Sequence, residues 1–229
     1  MNILRIGHRG SKGYVAENTL ESINHAILLG VDGIEIDVFK CLSGELVLSH
    51  ENNLKRLTGK SGQLEKLTLG ELKKFLVVGK YKIPTLTDVL KTIETPLFVN
   101  IELKGLNTAQ ATSKIITNLS KSTSWRLENF IISSFNWNEL EQFRSIDKNT
   151  PVGVLVSNSM SINKAIEFGK KINAQAIHPN FKLLNEKTVK KIKNNGFKIY
   201  TWTVNSKDDI NYMKKFKVDG IISDFPDKI

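Results

Sequence analysis

Cysteine is almost missing from this chain: Cys41 stands alone among 229 residues. No disulfide can form within the molecule, and a reducing compartment suits it. No apolar run approaches the length needed to cross a bilayer. The opening Met1-Asn2-Ile3-Leu4-Arg5-Ile6-Gly7-His8-Arg9 turns polar too soon for a signal peptide, and the C-terminus carries no lipidation signal, so a cytoplasmic protein is expected. Internal repeats and low-complexity linkers are also lacking. With 40% hydrophobic residues, the length suits one domain over residues 1–229. Acidic residues are the minority, 23 against 33 basic, for a net charge of +10. The lysines are spread through pairs such as Lys73-Lys74, Lys170-Lys171, Lys190-Lys191 and Lys214-Lys215, each at a predicted helix. That pattern reads as solvated helix faces, and no nucleic-acid partner is expected.

What is present is alternation. Short apolar runs near 3–7, 33–38, 97–103, 129–133, 152–156, 174–178, 197–203 and 219–222 read as strands. Helical patterns near 19–29, 86–94, 108–121, 136–145, 160–171, 186–194 and 206–215 lie between them. Eight such units predict a (β/α)8 barrel, with an open doubly wound sheet as the structural alternative. The first helix carries its own punctuation: Thr19 to cap it, Leu20, Ile23 and Ile27 on one face, Gly30 beyond its end. Segment 44–85 breaks the rhythm. It holds an extra strand at Glu45–Ser49, a glycine-rich polar stretch and a short helix near 68–75. It reads as a subdomain inserted after the second strand and folded over the barrel mouth.

The chemistry is concentrated at strand ends. In Gly33-Ile34-Glu35-Ile36-Asp37-Val38 the apolar residues share one face and the two carboxylates the other. The third strand repeats this, with Asn100, Glu102 and Lys104 alternating against Val99, Ile101 and Leu103. Glu35, Asp37 and Glu102 would therefore converge inside a barrel, where unpaired carboxylates are costly. A hard divalent ion, Mg²⁺ or Ca²⁺, is the natural partner of such a set, and a salt-bridge network with Arg9 and Lys104 is the alternative. Only four histidines occur, and two, His8 and His50, fall at strand ends beside the acids. A histidine pair suits phosphodiester cleavage, one accepting a proton and one donating. Arg9 offers a planar fork to phosphate oxygens and Lys104 a point charge. His25 is assigned to solvent, and His178, closing a strand in Ala-Ile-His-Pro, is a weak site candidate. Cys41 has no activating base nearby.

Taken together, His8-Arg9-Gly10, Glu17-Asn18-Thr19, Glu35-Ile36-Asp37-Val38, Ser49-His50, Ile83-Pro84-Thr85-Leu86, Asn100-Ile101-Glu102-Leu103-Lys104, Ser133-Ser134-Phe135, Trp202-Thr203-Val204-Asn205 and Asp219-Gly220-Ile221-Ile222-Ser223-Asp224-Phe225-Pro226 resemble the glycerophosphodiester phosphodiesterases over essentially the whole chain. The resemblance implies a barrel with an inserted subdomain and a metal held by Glu35, Asp37 and Glu102. It implies His8 and His50 as the acid–base pair, and phosphate binding by Arg9 and Lys104 supported by Glu17 and Asn18. It also implies Trp202 as a wall of the substrate pocket. The implied reaction is hydrolysis of a small glycerophosphodiester to glycerol 3-phosphate and an alcohol, without stable membrane association. A lipid-acting phospholipase D and a catalytically silent phosphate-binding module are the competing readings. The first would need an exposed apolar face for membrane contact, and the sequence offers no obvious apolar surface loop; the intact acids and histidines argue against the second. Two positions depart from the family pattern: Glu51, usually Asp, and Cys41, usually Thr.

Overall fold

The computed structural model describes residues 3–157 and 162–229. Its strands are β1 (Leu4–His8), β2 (Gly33–Lys40), β3 (Leu46–Leu48), β4 (Leu76–Val77), β5 (Tyr81–Lys82), β6 (Phe98–Leu103), β7 (Phe130–Ser134), β8 (Val152–Val156), β9 (Ala176–Pro179), β10 (Lys198–Thr201) and β11 (Gly220–Ser223). β1, β2 and β6 through β11 pair in parallel, and β1 bonds both to β2 and to β11, which closes the circle. The result is a (β/α)8 barrel; an open sheet would leave two free edges.

The helices are α1 (Leu20–Leu28), α2 (Lys55–Thr58), α3 (Leu69–Leu72), α4 (Leu86–Thr92), α5 (Ala109–Ser122), α6 (Trp137–Ile146), α7 (Ile162–Lys171), α8 (Glu186–Asn194) and α9 (Lys207–Lys215). The sequence places the start of α7 at 160, and residues 160–161 lie outside the described residues. The Thr19 side chain accepts from Ser22 N at the start of α1, a cap worth about 1 kcal/mol. Ile23 is fully buried, and Leu20 and Ile27 pack beside it against the outer core.

Strand alternation sorts the residues into two layers. Ile34, Ile36, Val38, Val99, Ile101 and Leu103 join the core between strands and helices. The opposite faces supply a separate lumen cluster of Ile6, Ile131, Ala176, Tyr200 and Ile222. Gly153 is required by this layer: a Cβ there would stand 2.3 Å from His178 Nε2. The inner positions nearer the strand ends are polar, and they carry Glu35, Asp37, Asn100 and Glu102.

The inserted segment follows β2. β3 runs antiparallel to Val38–Lys40, and this pairing carries β2 two residues past its predicted end. The expected helix at 68–75 contracts to α3, capped reciprocally by Thr68 and Glu71. α2 lies in what the sequence presented as a polar stretch, and the β4–β5 hairpin follows α3, where no element was expected. Leu54, Leu57, Leu64, Leu72 and Val77 pack against Phe39 and Cys41 as a small core of their own. The hairpin leaves Leu76 and Val78 exposed, an apolar loop that was not legible in the sequence. Among the described residues, no helix is long and apolar enough to cross a membrane.

Candidate active site

The strand register fixes the centre of the site. His8 lies beside Glu35 across β1 and β2, and Asp37 lies beside Glu102 across β2 and β6. Glu35, Asp37 and Glu102 are all buried, each offering an oxygen within 4.8 Å of the others. The chain leaves β1 through two left-handed residues, Arg9 at φ 51 and Gly10 at φ 84. That turn lets Arg9 N donate to Glu35 Oε2 at 3.0 Å, while Arg9 Nη1 donates to Glu17 Oε1 at 2.9 Å. Arg9 Nε approaches Asp37 Oδ2 to 3.1 Å as an ion pair, yet the angle does not make a hydrogen bond, and both Nε and Asp37 Oδ1 are buried without a hydrogen-bond partner. Asn18, left-handed at φ 56, grips Asp37 twice: its Nδ2 donates to Oδ2 at 2.9 Å, and its Oδ1 accepts from Asp37 N at 3.2 Å. Lys104 Nζ stands 3.0 Å from Glu102 Oε1 and 4.0 Å from Asp37 Oδ1.

The electrostatics follow from this crowding. Burial, with Asp37 and Glu102 close by, raises the Glu35 carboxyl well above its ordinary value. Burial and Asp37 push Glu102 up to about 7 despite Lys104. Lys104 loses solvation, but Glu102 and Asp37 outweigh that loss and raise its pKa. Two cations do not satisfy three carboxylates that also share Arg9 with Glu17, so the centre retains a deficit of positive charge.

Two imidazoles open onto the same cavity, of about 80 Å³, together with Arg9, Glu35, Glu102 and Lys104. His8 Nδ1 is 2.6 Å from Asp224 Oδ1, and its Nε2 lies 3.9 Å from Glu35 Oε2. Asp224 is itself held by Asn205 Nδ2 at 2.8 Å. Burial lowers the His8 pKa, against the opposing pull of the Asp224 hydrogen bond. His50 enters from the inserted segment, just after β3. Burial holds it down to about 4, more than Asp37 can restore. Its neighbour Glu51 accepts from Arg56 Nε at 2.7 Å. Phe135 and Trp202 complete the wall, meeting edge to face with ring centroids 5.4 Å apart. Trp202 Nε1 donates to His178 O at 2.8 Å.

All ten expected positions thus come together: Glu17 and Asn18 around Arg9 and Asp37, the other eight on or directly behind the cavity. His178 does not belong with them. Its ring is wholly buried and neither nitrogen has a hydrogen-bond partner. It packs edge-on to Tyr200, so it is lumen filler below the site. His25 is also not in solvent: it is half-buried, with Nδ1 2.9 Å from Ser11 Oγ. Cys41 is buried outside the cavity, with Sγ 3.3 Å from Glu45 Oε2. Sequence reasoning assigned no role to Asp224, Asn100 or Arg56. The signal for Asp224 was a lone acid directly after the last strand, where barrel chemistry collects.

Acid, imidazole and cationic groups gathered at the C-terminal ends of barrel strands define a barrel enzyme for an anionic substrate. The profile of the glycerophosphoryl diester phosphodiesterase family matches residues 8–228, and the chain belongs to that family. A glycerophosphodiester phosphodiesterase of Caldanaerobacter subterraneus is 32% identical over 238 residues, an alignment covering 100% of this chain and 97% of the relative. A solved Oleispira antarctica phosphodiesterase, in complex with its product sn-glycerol-3-phosphate, superposes with a TM-score of 0.88 at 27% identity, covering 98% of this chain and 94% of that one. The Thermotoga maritima glycerophosphodiester phosphodiesterase gives a TM-score of 0.84 at 29% identity, covering 99% and 97%.

Proposed function

We propose that this protein hydrolyses small glycerophosphodiesters to glycerol 3-phosphate and a free alcohol, as a single barrel unit that includes the inserted subdomain 44–85. The observation that carries this reading is the meeting of three buried carboxylates, two cations and two imidazoles at one cavity. The family match supports the substrate class.

A divalent ion, Mg²⁺ or Ca²⁺, fits Glu35, Asp37 and Glu102. The donors are all hard oxygens, and Asp37 Oδ1 is buried with no hydrogen-bond partner to occupy it. When bound, such an ion supplies a template for the glycerol oxygens and Lewis-acid stabilisation of developing charge. Arg9 and Lys104 bind the phosphate. Glu17 holds the Arg9 fork, Asn18 fixes Asp37, and Trp202 with Phe135 walls the glycerol end.

His8 and His50 form the acid–base pair. One imidazole takes the proton from the substrate's own 2-hydroxyl as that oxygen attacks phosphorus. The other protonates the departing alcohol oxygen as its bond to phosphorus breaks. The cyclic glycerol phosphate so formed is opened by water with the two roles exchanged, giving glycerol 3-phosphate. Asp224 keeps the His8 ring aimed with Nε2 toward the carboxylates. A lone reduced cysteine suits a cytoplasmic setting for this chemistry.

The test is an assay with added Mg²⁺ or Ca²⁺ over a panel including glycerophosphocholine and glycerophosphoethanolamine, with glycerol 3-phosphate detected directly. Release of glycerol 3-phosphate from at least one diester is expected. Binding without turnover across the panel would leave a phosphate-binding module instead.

A further inference from the structure

A cavity larger than the catalytic one lies at the other end of the barrel. Its volume is about 760 Å³, and it opens at the N-terminal ends of β1, β10 and β11, between the C-termini of α8 and α9. Lys193, Lys198, Lys214 and Lys217 line it, against one carboxylate, Asp219. Asp219 is already engaged, accepting from Ile199 N at 2.8 Å. None of the four lysines is within ion-pair distance of a carboxylate among the described residues, unlike Lys12, Lys104 and Lys171. Leu4 and the Tyr200 ring supply an apolar wall.

Lysine at a helix C-terminus is ordinary, because it complements the helix dipole, and that accounts for Lys193 and Lys214. It does not account for the other two. Lys198 opens β10 with its side chain exposed. Lys217 sits just past α9 with φ 52, whereas the matching position past α8 is Gly196 at φ 85. A lysine in the left-handed region costs about 1 kcal/mol that glycine avoids. Its backbone carbonyl also accepts from Lys193 Nζ, drawing a second ammonium to the cavity. The four ammonium groups have no carboxylate partner among the described residues, Lys193 meeting only a carbonyl, so the recess concentrates positive charge suited to an anion.

We propose that this cavity is a second, non-catalytic site for a soluble phosphate-bearing molecule of two or more negative charges, with its phosphates among Lys193, Lys198, Lys214 and Lys217 and its organic portion against Leu4 and Tyr200. Lysine heads are point charges on flexible stems and suit phosphate chains more than planar carboxylates. The volume is that of a site for a nucleotide-sized ligand. Catalysis in this fold belongs to the opposite face, so occupancy here leaves the chemical groups untouched.

The probe is metal-free ATP, titrated by calorimetry into the full-length protein with the catalytic cavity saturated by glycerol 3-phosphate. One saturable site is expected, weakening with salt and weakened about tenfold or more by Lys198→Glu combined with Lys217→Gly. Turnover of the diester without ATP should be unchanged in that variant. Lys217→Gly alone should melt no lower than the parent, which separates lost binding from lost folding. The proposal is overturned by absence of saturable binding, or by binding that survives the double substitution. Binding abolished by Lys104→Ala would move the anion to the catalytic rim and equally overturn it. Lysine-dependent pelleting with phosphatidylglycerol vesicles, without ATP binding, would refute a soluble ligand.

Discussion

Glu17 is clamped between Arg9 and Arg56, accepting from Arg9 Nη1 at 2.9 Å and from Arg56 Nη2 at 2.7 Å. One arginine comes from the end of β1 and the other from α2 in the inserted segment, so the clamp ties the subdomain to the phosphate-binding residue. Burial would raise the Glu17 pKa, but Arg56 and Arg9 together bring it down to about 2. A carboxylate depressed in the folded state stabilises it above the ordinary value near 4.5, and that contribution is lost as pH falls toward about 2. Arg56→Ala is expected to raise KM for the diester more than it lowers kcat, by about tenfold or less in kcat/KM because the Arg56 head is half exposed. Acid unfolding should also begin at a higher pH. Unchanged KM together with an unchanged acid transition would show that the clamp does not position Arg9.

The acid–base assignment makes a sharper demand. His8→Ala and His50→Ala are each expected to reduce turnover at least about a hundredfold with the fold retained by circular dichroism. Asp224→Asn should reduce kcat about tenfold or more and displace the pH profile, because the His8 ring loses the acceptor that fixes its orientation. A variant at either histidine that keeps parental kcat removes that residue from the chemistry.

Cation binding should be linked to protons. Without a cation, Glu35 is raised well above its ordinary value and Glu102 reaches about 7. Protons therefore compete with the metal below that pH, and Mg²⁺ or Ca²⁺ affinity should increase as pH rises through about 7, with proton release on binding. Calorimetry in buffers of different ionisation enthalpy measures that release. Chelation should abolish turnover, added Mg²⁺ or Ca²⁺ should restore it, and Glu35→Gln or Asp37→Asn should weaken the metal without unfolding the barrel. Full activity after chelator dialysis would remove the three-carboxylate site from catalysis.

The nucleophile can be tested by subtraction. A substrate lacking the glycerol 2-hydroxyl should bind and resist cleavage. If it turns over as fast as the parent diester, water attacks phosphorus directly and the cyclic route is wrong.

How far the sequence revealed all this depends on the reach of the signal. The alternation in Ile34-Glu35-Ile36-Asp37-Val38 is local, and it set both the strand and the face of its acids. Register across β1, β2 and β6 then followed from barrel closure. The Glu17–Arg56 clamp spans 39 positions and depends on where α2 lands, which no local period encodes. The β4–β5 hairpin has two-residue strands, too short for any period to register, and its turn is made by Val78 at φ 46, a conformation that β-branched residues avoid. The depth of His178 is equally nonlocal, since Gly153 on the neighbouring strand makes the space for its ring.

That buried ring should make the protein acid-sensitive. Burial lowers His178 from 6.5 to about 3. Between those values the unfolded chain takes up a proton that the folded chain refuses, so stability is full above about 6.5 and declines as pH falls. The loss at pH 5 is about 2 kcal/mol relative to neutral pH. In His178→Leu the difference in urea stability between pH 7.5 and pH 5 should shrink by roughly that amount. An identical difference in variant and parent would place the acid sensitivity elsewhere.

His8 and Asp224 are 216 residues apart in the chain and 2.6 Å apart in space. On the ribosome, the histidine is made 216 residues before its orienting carboxylate. Every nascent chain short of β11 therefore carries an open barrel, with β1 lacking one of its two neighbours and His8 free to rotate. Activity should appear in one step once β11 and Asp224 have been made, and fragments cut before residue 220 should show none of it, however well their helices form.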